Sequence, residues 1–272
     1  MNELDVKKRL ERIFPGQNIE VDHRLLGGMS NYTYVVRIED VLYTYRIPGD
    51  YSEKFVDRSI EKANLKLMSK LNISNETIYF DLVTGEKIAK YVEGQPVSQL
   101  KDYPYQMISD LLKKIHQSGL KAENDYDPFG RLMEYENHVI ELGFTHSKEY
   151  IDIKQKFFTY KEYLLSQEKV LCHGDSQPSN FIYDGTNIYA VDFEFTGNHD
   201  VCYDIACFAN IRLEEGLKLL DIYFEGANKD QLKRFYLWRT FQCFQWFNVA
   251  MLKHLVGMSE SLKIDFEKVS II

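Results

Sequence analysis

Residues 172–194 read CHGDSQPSNFIYDGTNIYAVDFE, and this stretch predicts a β-hairpin with polar side chains at its open end. Two short apolar runs flank the tetrapeptide DGTN at 184–187, a composition that is typical of a hairpin loop. If this tetrapeptide is the whole loop, Asn180 falls opposite Val191 in the strand register. Asn180 and Asp192 are therefore expected side by side where the hairpin opens.

The polar residues of this stretch suit phosphoryl transfer. The amide oxygen of Asn180 and the carboxylate of Asp192 are hard oxygen donors, which Mg²⁺ prefers. Asp175 lies five residues before Asn180, on the loop that enters the hairpin, where a carboxylate can accept a proton from a substrate hydroxyl. His173 fits a role in shaping that loop. Each of these residue types is also common in ordinary turns, but the three acceptor groups together match the arrangement that kinases use.

The first 93 residues are predicted to form a small sheet-rich lobe. Apolar residues at helical spacing predict helices over 1–14 and 55–71. Alternating or β-branched runs predict strands over 21–26, 32–38, 41–47, 77–82 and 87–92.

Residues 94–272 are predicted to form a larger and mostly helical lobe. Helical spacing covers 107–115, 150–165 and 229–256, and the hairpin of 181–191 lies among these helices. The sequence therefore predicts an α+β fold with two lobes, divided at residues 93 and 94.

Composition excludes several classes of protein. The 33 Lys and Arg residues against 41 Asp and Glu give a formal net charge of −8, which disfavours a broad nucleic-acid surface. No run of about 18 apolar residues predicts a membrane helix, and the N-terminus lacks a signal-peptide pattern, so a cytoplasmic location is expected. The cysteines show no CxxC pair or zinc-ligand spacing and are expected to be reduced thiols: Cys172, Cys202, Cys207 and Cys243.

Several motifs together resemble the choline/ethanolamine kinase family, in particular its bacterial choline kinases. HGDSQPSNF (173–181) and VDFEFTGNHDVCYDIA (191–206) are similar to the family's catalytic segment. Further matches are RLLGGMSNYTYVV (24–36) for the phosphate-loop hairpin, YRIPG (45–49) for the nucleotide-lysine strand, KYVEG (90–94) for the hinge between lobes and KKIHQSG (113–119) for the helix after the hinge. This resemblance spans most of the chain and implies a two-lobed protein-kinase-like fold.

The resemblance implies a site for ATP and Mg²⁺. Asp175 matches the catalytic base, Asn180 and Asp192 match the magnesium ligands, and Glu194 matches an acidic residue beside the metal and the substrate. The resemblance also assigns ATP-binding roles to two groups of residues. In the phosphate loop and the lysine site these are Gly28, Met29, Ser30, Asn31, Arg46 and its expected ion-pair partner Glu61. At the hinge, where the backbone would bind adenine, they are Lys90, Tyr91 and Val92.

The resemblance further implies a small cationic alcohol, choline, as the phosphoryl acceptor. Aromatic ring faces attract a quaternary ammonium group, and the long C-terminal helix is rich in aromatic residues. The expected acceptor-binding residues, besides Asp175 and Glu194, are Phe195, Tyr203, Phe244, Trp246 and Phe247. Each of these rings could equally belong to the hydrophobic core, since an apolar stripe on a helix usually packs inward.

Two departures from the family pattern affect the acceptor pocket. The family's Trp-x-x-Trp pair corresponds here to Phe244 and Phe247, with Trp246 between them, and a family Glu is replaced by Ile211. Ethanolamine, thiamine and aminoglycosides therefore remain alternative acceptors, although an aminoglycoside would require a cluster of carboxylates. A module that binds nucleotide or choline without catalysis is a further alternative, which the presence of the base and both metal ligands disfavours.

Overall fold

A computed structural model describes residues 2–26, 31–262 and 264–269, with the side chains of 261 and 262 outside this description. The amino-terminal part is an antiparallel sheet of order β1-β2-β3-β5-β4 with two helices. Its elements are α1 (Glu3–Ile13), β1 (Ile19–Leu25), β2 (Asn31–Ile38), β3 (Val41–Pro48), α2 (Arg58–Met68), β4 (Thr77–Phe80) and β5 (Lys87–Lys90).

Local sequence signals account for the centre of this sheet. Ile38 pairs with Val41 across a two-residue turn, and Glu39 adopts a φ of +51°, the left-handed conformation that such tight hairpins require. Helix α1 begins at a capping box formed by Asn2 and Asp5. Its apolar face packs on one side of the sheet, in a cluster of Val6, Leu10, Ile19, Tyr34, Val36, Ile38, Tyr45, Ile47 and Ile88.

The carboxyl-terminal part is mostly helical. Its helices are α3 (Tyr105–His116), α4 (Pro128–Glu141), α5 (Lys148–Phe158), α6 (Lys161–Leu165), α7 (Val201–Phe208), α8 (Leu213–Phe224), α9 (Lys229–Leu255), α10 (Met258–Leu262) and α11 (Phe266–Val269). Its short strands are β6 (Gln95–Pro96), β7 (Val170–Cys172), β8 (Phe181–Tyr183), β9 (Ile188–Ala190) and β10 (Gly197–His199). This arrangement confirms the predicted α+β class with a sheet-rich part followed by a helical part.

The helical part differs from the sequence prediction between α5 and α6. The prediction of one continuous helix over 150–165 is wrong, because α5 ends at Phe158 and a turn separates it from α6. At this turn the Thr159 hydroxyl donates to the carbonyl oxygen of Lys156, in competition with the helical backbone. The division at residue 93 stays a prediction; β6 follows it directly and pairs with β8.

The core of the helical part surrounds the long helix α9, which packs against α4, α5 and α7. Its largest buried side chains include Trp238, Phe241, Phe235, Phe208 and Tyr203. Within the described residues, none of the helices combines the length and the apolar character that a membrane crossing needs.

Candidate active site

The loop after β7 is held in place by one buried carboxylate, Asp204 of α7. Its oxygens accept hydrogen bonds from the backbone N–H groups of His173 (2.7 Å) and Gly174 (2.8 Å) and from Nε2 of His116 (3.0 Å). Gly174 has a φ of +83°, and a Cβ atom there would lie 1.9 Å from the carbonyl oxygen of Phe195. Glycine at position 174 is therefore required by the path of this loop.

Asp175 is the next residue on this anchored loop and faces the cleft between the two parts of the chain. Its carboxylate accepts hydrogen bonds from Nδ2 of Asn180 (2.8 Å) and from Nε2 of Gln177 (3.1 Å). Burial, together with the negative charges of Asp192 and Glu194, raises the pKa of Asp175 to about 8. In its ionised form, a carboxylate with a raised pKa accepts a proton from a hydroxyl more readily than one with an ordinary pKa.

The hairpin has the predicted register and brings Asn180 and Asp192 to its open end. Tyr183 pairs with Ile188, and the backbone N–H of Val191 donates to the carbonyl oxygen of Asn180 at 2.9 Å. Asp192 has a φ of +67°, an uncommon conformation for a residue other than glycine, and directs its carboxylate towards the cleft. The amide nitrogen of Asn180 points to Asp175, which leaves its amide oxygen for another partner.

Arg46 of β3 joins the sheet to this hairpin. Its Nη1 atom lies 2.9 Å from Oδ1 of Asp192 and 3.0 Å from Oε2 of Glu194, and its Nη2 atom donates to Glu61 of α2. The predicted pair of Arg46 with Glu61 is thus present, and Arg58 also donates to Glu61 at 2.9 Å. Against the effect of burial, the positive charges of Arg46 and a neighbouring lysine hold the pKa of Asp192 below its usual value.

Among the residues that the structure describes, two groups of side chains could offer metal ligands. Carboxylate oxygens of Glu61, Asp192 and Glu194 all lie within 4.8 Å of one another, and Arg46 contacts all three. With Asn180 nearby, this set of oxygen donors suits Mg²⁺. The second group, His116, Cys172 and Asp204, is fully buried, and its Asp204 oxygens are used to hold the loop.

A cleft of about 1790 Å³ contains most of the residues that the sequence singled out. Both parts of the chain line it, so a nucleotide and a second small molecule could meet within it. The predicted site residues on its walls are Asn31, Arg46, Tyr91, Val92, Asp175, Asn180, Asp192, Glu194, Phe195, Trp246 and Phe247.

Other predicted site residues lie elsewhere. Tyr203 is 1% exposed, and its hydroxyl donates to that of Tyr126 at 2.9 Å within the core. Phe244 is buried on the side of α9 that faces α5, where its ring meets the ring of Tyr150 edge to face at 5.1 Å. Gly28, Met29 and Ser30 lie outside the described residues.

Lys90 is a separate case at the end of β5. Its exposed ammonium group pairs with Glu76 at 2.7 Å, and Lys90 itself does not line the cleft. Its backbone N–H donates to the carbonyl oxygen of Glu76, and its own carbonyl oxygen accepts from Asn75. Of the three hinge residues predicted to bind adenine, Tyr91 and Val92 are therefore the two that face the cleft.

The polar residues that line the cleft and were not predicted from the sequence include Lys87, Asn210, Arg239 and Gln242. A usable signal exists for Arg239 and Gln242, which precede Trp246 on α9 at helical spacing. Arg239 donates to Oδ1 of Asn210 at 3.0 Å. The Asn210 amide nitrogen and the Gln242 amide oxygen are buried without a hydrogen-bond partner among the described residues, so both are available to a bound molecule.

We expect the chain without metal or nucleotide to lose stability as pH rises from about 5 to about 8. Burial raises the pKa of Glu194 to about 7, as it raises that of Asp175 to about 8. Both values exceed the roughly 4 of an unfolded chain, so between about pH 4 and these values the folded chain holds more protons than the unfolded one. Its stability falls over that interval and levels off once both groups have ionised. Thermal unfolding in EDTA across this pH range tests the slope. Asp175→Asn should flatten the upper part of the curve of stability against pH. An unchanged slope in that variant would contradict the assignment of the raised pKa to Asp175.

Comparison with known proteins agrees with this geometry. The family model described as "Choline/ethanolamine kinase" matches residues 23–212. Protein LicA of Haemophilus influenzae is 25% identical over 218 residues, which are 75% of this chain and 63% of that relative. The chain therefore spans less than two thirds of that relative's length.

Two solved structures show the same fold. Choline kinase LicA from Streptococcus pneumoniae superposes with a TM-score of 0.77 at 22% identity, covering 99% of this chain and 94% of the other. A structure of LicA in complex with AMP gives a TM-score of 0.74 at 21% identity, covering 98% of each chain. Since the family model matches well over half of the residues, the chain belongs to the choline/ethanolamine kinase family.

Proposed function

We propose that this chain transfers the γ-phosphoryl group of ATP, with Mg²⁺, to the hydroxyl group of choline. The observation that carries this proposal is the meeting of Asp175, Asn180 and Asp192 in one cleft, on a loop and a hairpin that are held by buried contacts. Membership of the choline/ethanolamine kinase family and the AMP complex of a structural relative support a nucleotide in this cleft.

In this mechanism Asp175 orients the acceptor hydroxyl and takes its proton as the oxygen attacks the γ-phosphorus. The hydrogen bonds from Asn180 and Gln177 fix the direction of the carboxylate, and burial keeps its affinity for a proton high. Asn180 and Asp192 would hold Mg²⁺, which when bound neutralises the charge of the phosphate oxygens. Arg46 positions Asp192 and Glu194 for this task through its two short ion pairs.

The acceptor end of the cleft combines aromatic rings with negative charge. Trp246 and Phe247 of α9 line the same cleft as the carboxylates of Asp175 and Glu194. Phe195 is also present, but the guanidinium group of Arg131 already lies 4.9 Å from the centre of its ring. The ring of Phe247 packs at 5.4 Å against Tyr150, so Trp246 is the main candidate for the ring face that a quaternary ammonium group requires.

Ethanolamine is a second candidate acceptor, favoured by one observation. The amide oxygen of Gln242 lines the cleft, is buried and lacks a hydrogen-bond partner within the described residues. A primary ammonium group can donate to this oxygen, whereas a trimethylammonium group has no N–H to donate. Arg239 at the same end adds a positive charge that an acceptor cation must avoid.

We test the proposal by measuring ADP formation with Mg²⁺ and four acceptors: choline, ethanolamine, thiamine and kanamycin. Choline is expected to give the highest kcat/KM. Trp246→Ala should raise the KM for choline up to about 30-fold, because a desolvated cation–π contact contributes about 2 kcal/mol or less. The exposed Tyr236, on the same helix but outside the cleft, serves as the control through Tyr236→Ala. Turnover confined to kanamycin, or equal effects of the two variants, would overturn the choice of choline.

A further inference from the structure

Lys87 lies beside the proposed phosphate site but belongs to a different strand from Arg46. It is on β5, directly opposite Arg46 of β3 in the strand register. Alternation along β5 puts Lys87 and Ala89 on the same face, and both line the cleft. The Lys87 side chain is only 12% exposed, so its charge is largely withdrawn from water.

The ammonium group of Lys87 makes no close contact with the surrounding carboxylates. Its Nζ atom lies 3.9 Å from Oε1 of Glu61 and 3.9 Å from Oδ1 of Asp192, beyond hydrogen-bonding distance in both cases. None of the described residues accepts a hydrogen bond from it. A charged group this well buried normally has close hydrogen-bonded partners.

Arg46 shows the opposite situation. Its guanidinium group is engaged with three carboxylates: Glu61, Asp192 and Glu194. In this arrangement its terminal nitrogens are directed towards those acids, which leaves Lys87 as the neighbouring cation with hydrogen-bonding capacity to spare. Arg46 therefore suits the positioning of the acidic residues, and Lys87 suits contact with an anionic ligand.

The electrostatic environment agrees with this division. Lys87 and Arg46 are partners in the strand register, so two positive charges lie close together at this wall of the cleft. A negatively charged ligand that binds in the cleft beside both cations would offset their positive charges. Phosphate oxygens bind an ammonium group through strong, charge-assisted hydrogen bonds.

We propose that Lys87 binds the phosphate groups of the nucleotide beyond the α-phosphate and so positions them over Asp192. This inference rests on the proposed function, since it requires that the cleft binds ATP. It assigns the contact with the phosphates to Lys87 on β5, while Arg46 on β3 positions the acidic residues. Adenosine and its α-phosphate should depend on other residues of the cleft, including Tyr91 and Val92 at the hinge.

The test compares the affinities of ADP, AMP and adenosine, measured by calorimetry in EDTA so that no divalent cation bridges the phosphates. Lys87→Met should weaken ADP binding at least about tenfold, since a hydrogen bond to a charged group contributes about 1.5–3 kcal/mol. Its affinities for AMP and adenosine should remain those of the unsubstituted chain, which also shows that the variant is folded. Lys87→Arg keeps the positive charge and should retain more ADP affinity than Lys87→Met.

Lys154→Met is the control for loss of a partly buried, ion-paired lysine. Lys154 of α5 pairs with Glu136 at 2.7 Å, and neither residue lines the cleft. The Lys154→Met variant should therefore bind all three ligands normally. Equal losses for ADP and AMP in Lys87→Met, or no loss for ADP, would overturn the role of Lys87 while leaving the proposed function intact. Equal ADP affinities for Lys87→Met and Lys87→Arg would overturn the charge-based contact. Failure of the unsubstituted chain to bind ADP would overturn both proposals.

Discussion

Asp175→Asn is expected to lower kcat by a factor of about 10²–10⁴, the range that general acid–base catalysis contributes. The amide cannot accept the proton of the acceptor hydroxyl, yet it has nearly the same shape as the carboxylate. Because the backbone of this loop is held by Asp204 and not by the Asp175 side chain, the fold should be retained. Steady-state kinetics with saturating ATP and choline measures the loss, and ADP binding should be little changed.

Asp184→Asn provides the matched control in the same hairpin. Asp184 is exposed in the loop and accepts hydrogen bonds from the backbone N–H groups of Thr186 and Asn187, which an Asn side-chain oxygen can also accept. Its kcat should equal that of the unsubstituted chain. If Asp175→Asn retained kcat within a factor of two or so, Asp175 would not be the catalytic base, because general-base catalysis contributes far more than this.

Asp204→Ala is expected to lower the free energy of unfolding by about 3–5 kcal/mol, as removal of one partner from a buried ionic network does. The substitution leaves the N–H groups of His173 and Gly174 and the ring of His116 without their acceptor in a fully buried environment. Urea denaturation followed by circular dichroism gives the change. Catalysis should fall as well, because the same contacts place Asp175.

The exposed Asp152 of α5 offers a comparison for this measurement, since Asp152→Ala removes a carboxylate that the fold does not bury. Its free energy of unfolding should change by no more than about 0.5 kcal/mol. A similarly small change in Asp204→Ala would show that the loop is held by other contacts and would remove the structural explanation for its conformation.

The hairpin of the site could be predicted because its signals are local. The loop sequence at 184–187 determines the register, and the register places Asn180 next to Asp192 without information from the rest of the chain. The strands of the first part were predictable for the same reason, with ends that differ from the structure by a few residues. The predicted pair of Arg46 with Glu61 needed the family resemblance, because 15 residues and a loop separate the two.

The acceptor side of the cleft was harder to predict because α9 is buried on several faces. Phe241 and Phe244 point into the core while Trp246 and Phe247 line the cleft, and the spacing of apolar residues cannot separate these roles. Tyr203 was misplaced for a similar reason, since its position depends on the packing of α7 against α9. Lys87 was missed because its significance arises only from its register with Arg46 on another strand.

The most direct test of the central claim is identification of the reaction product by ³¹P NMR. The chain is incubated with ATP, Mg²⁺ and choline, and the spectrum is followed over time. A phosphomonoester of choline is expected to form in a one-to-one ratio with ADP, and Asp175→Asn should form neither at a comparable rate. Release of inorganic phosphate alone, or an unchanged ATP spectrum in the presence of choline, would contradict it.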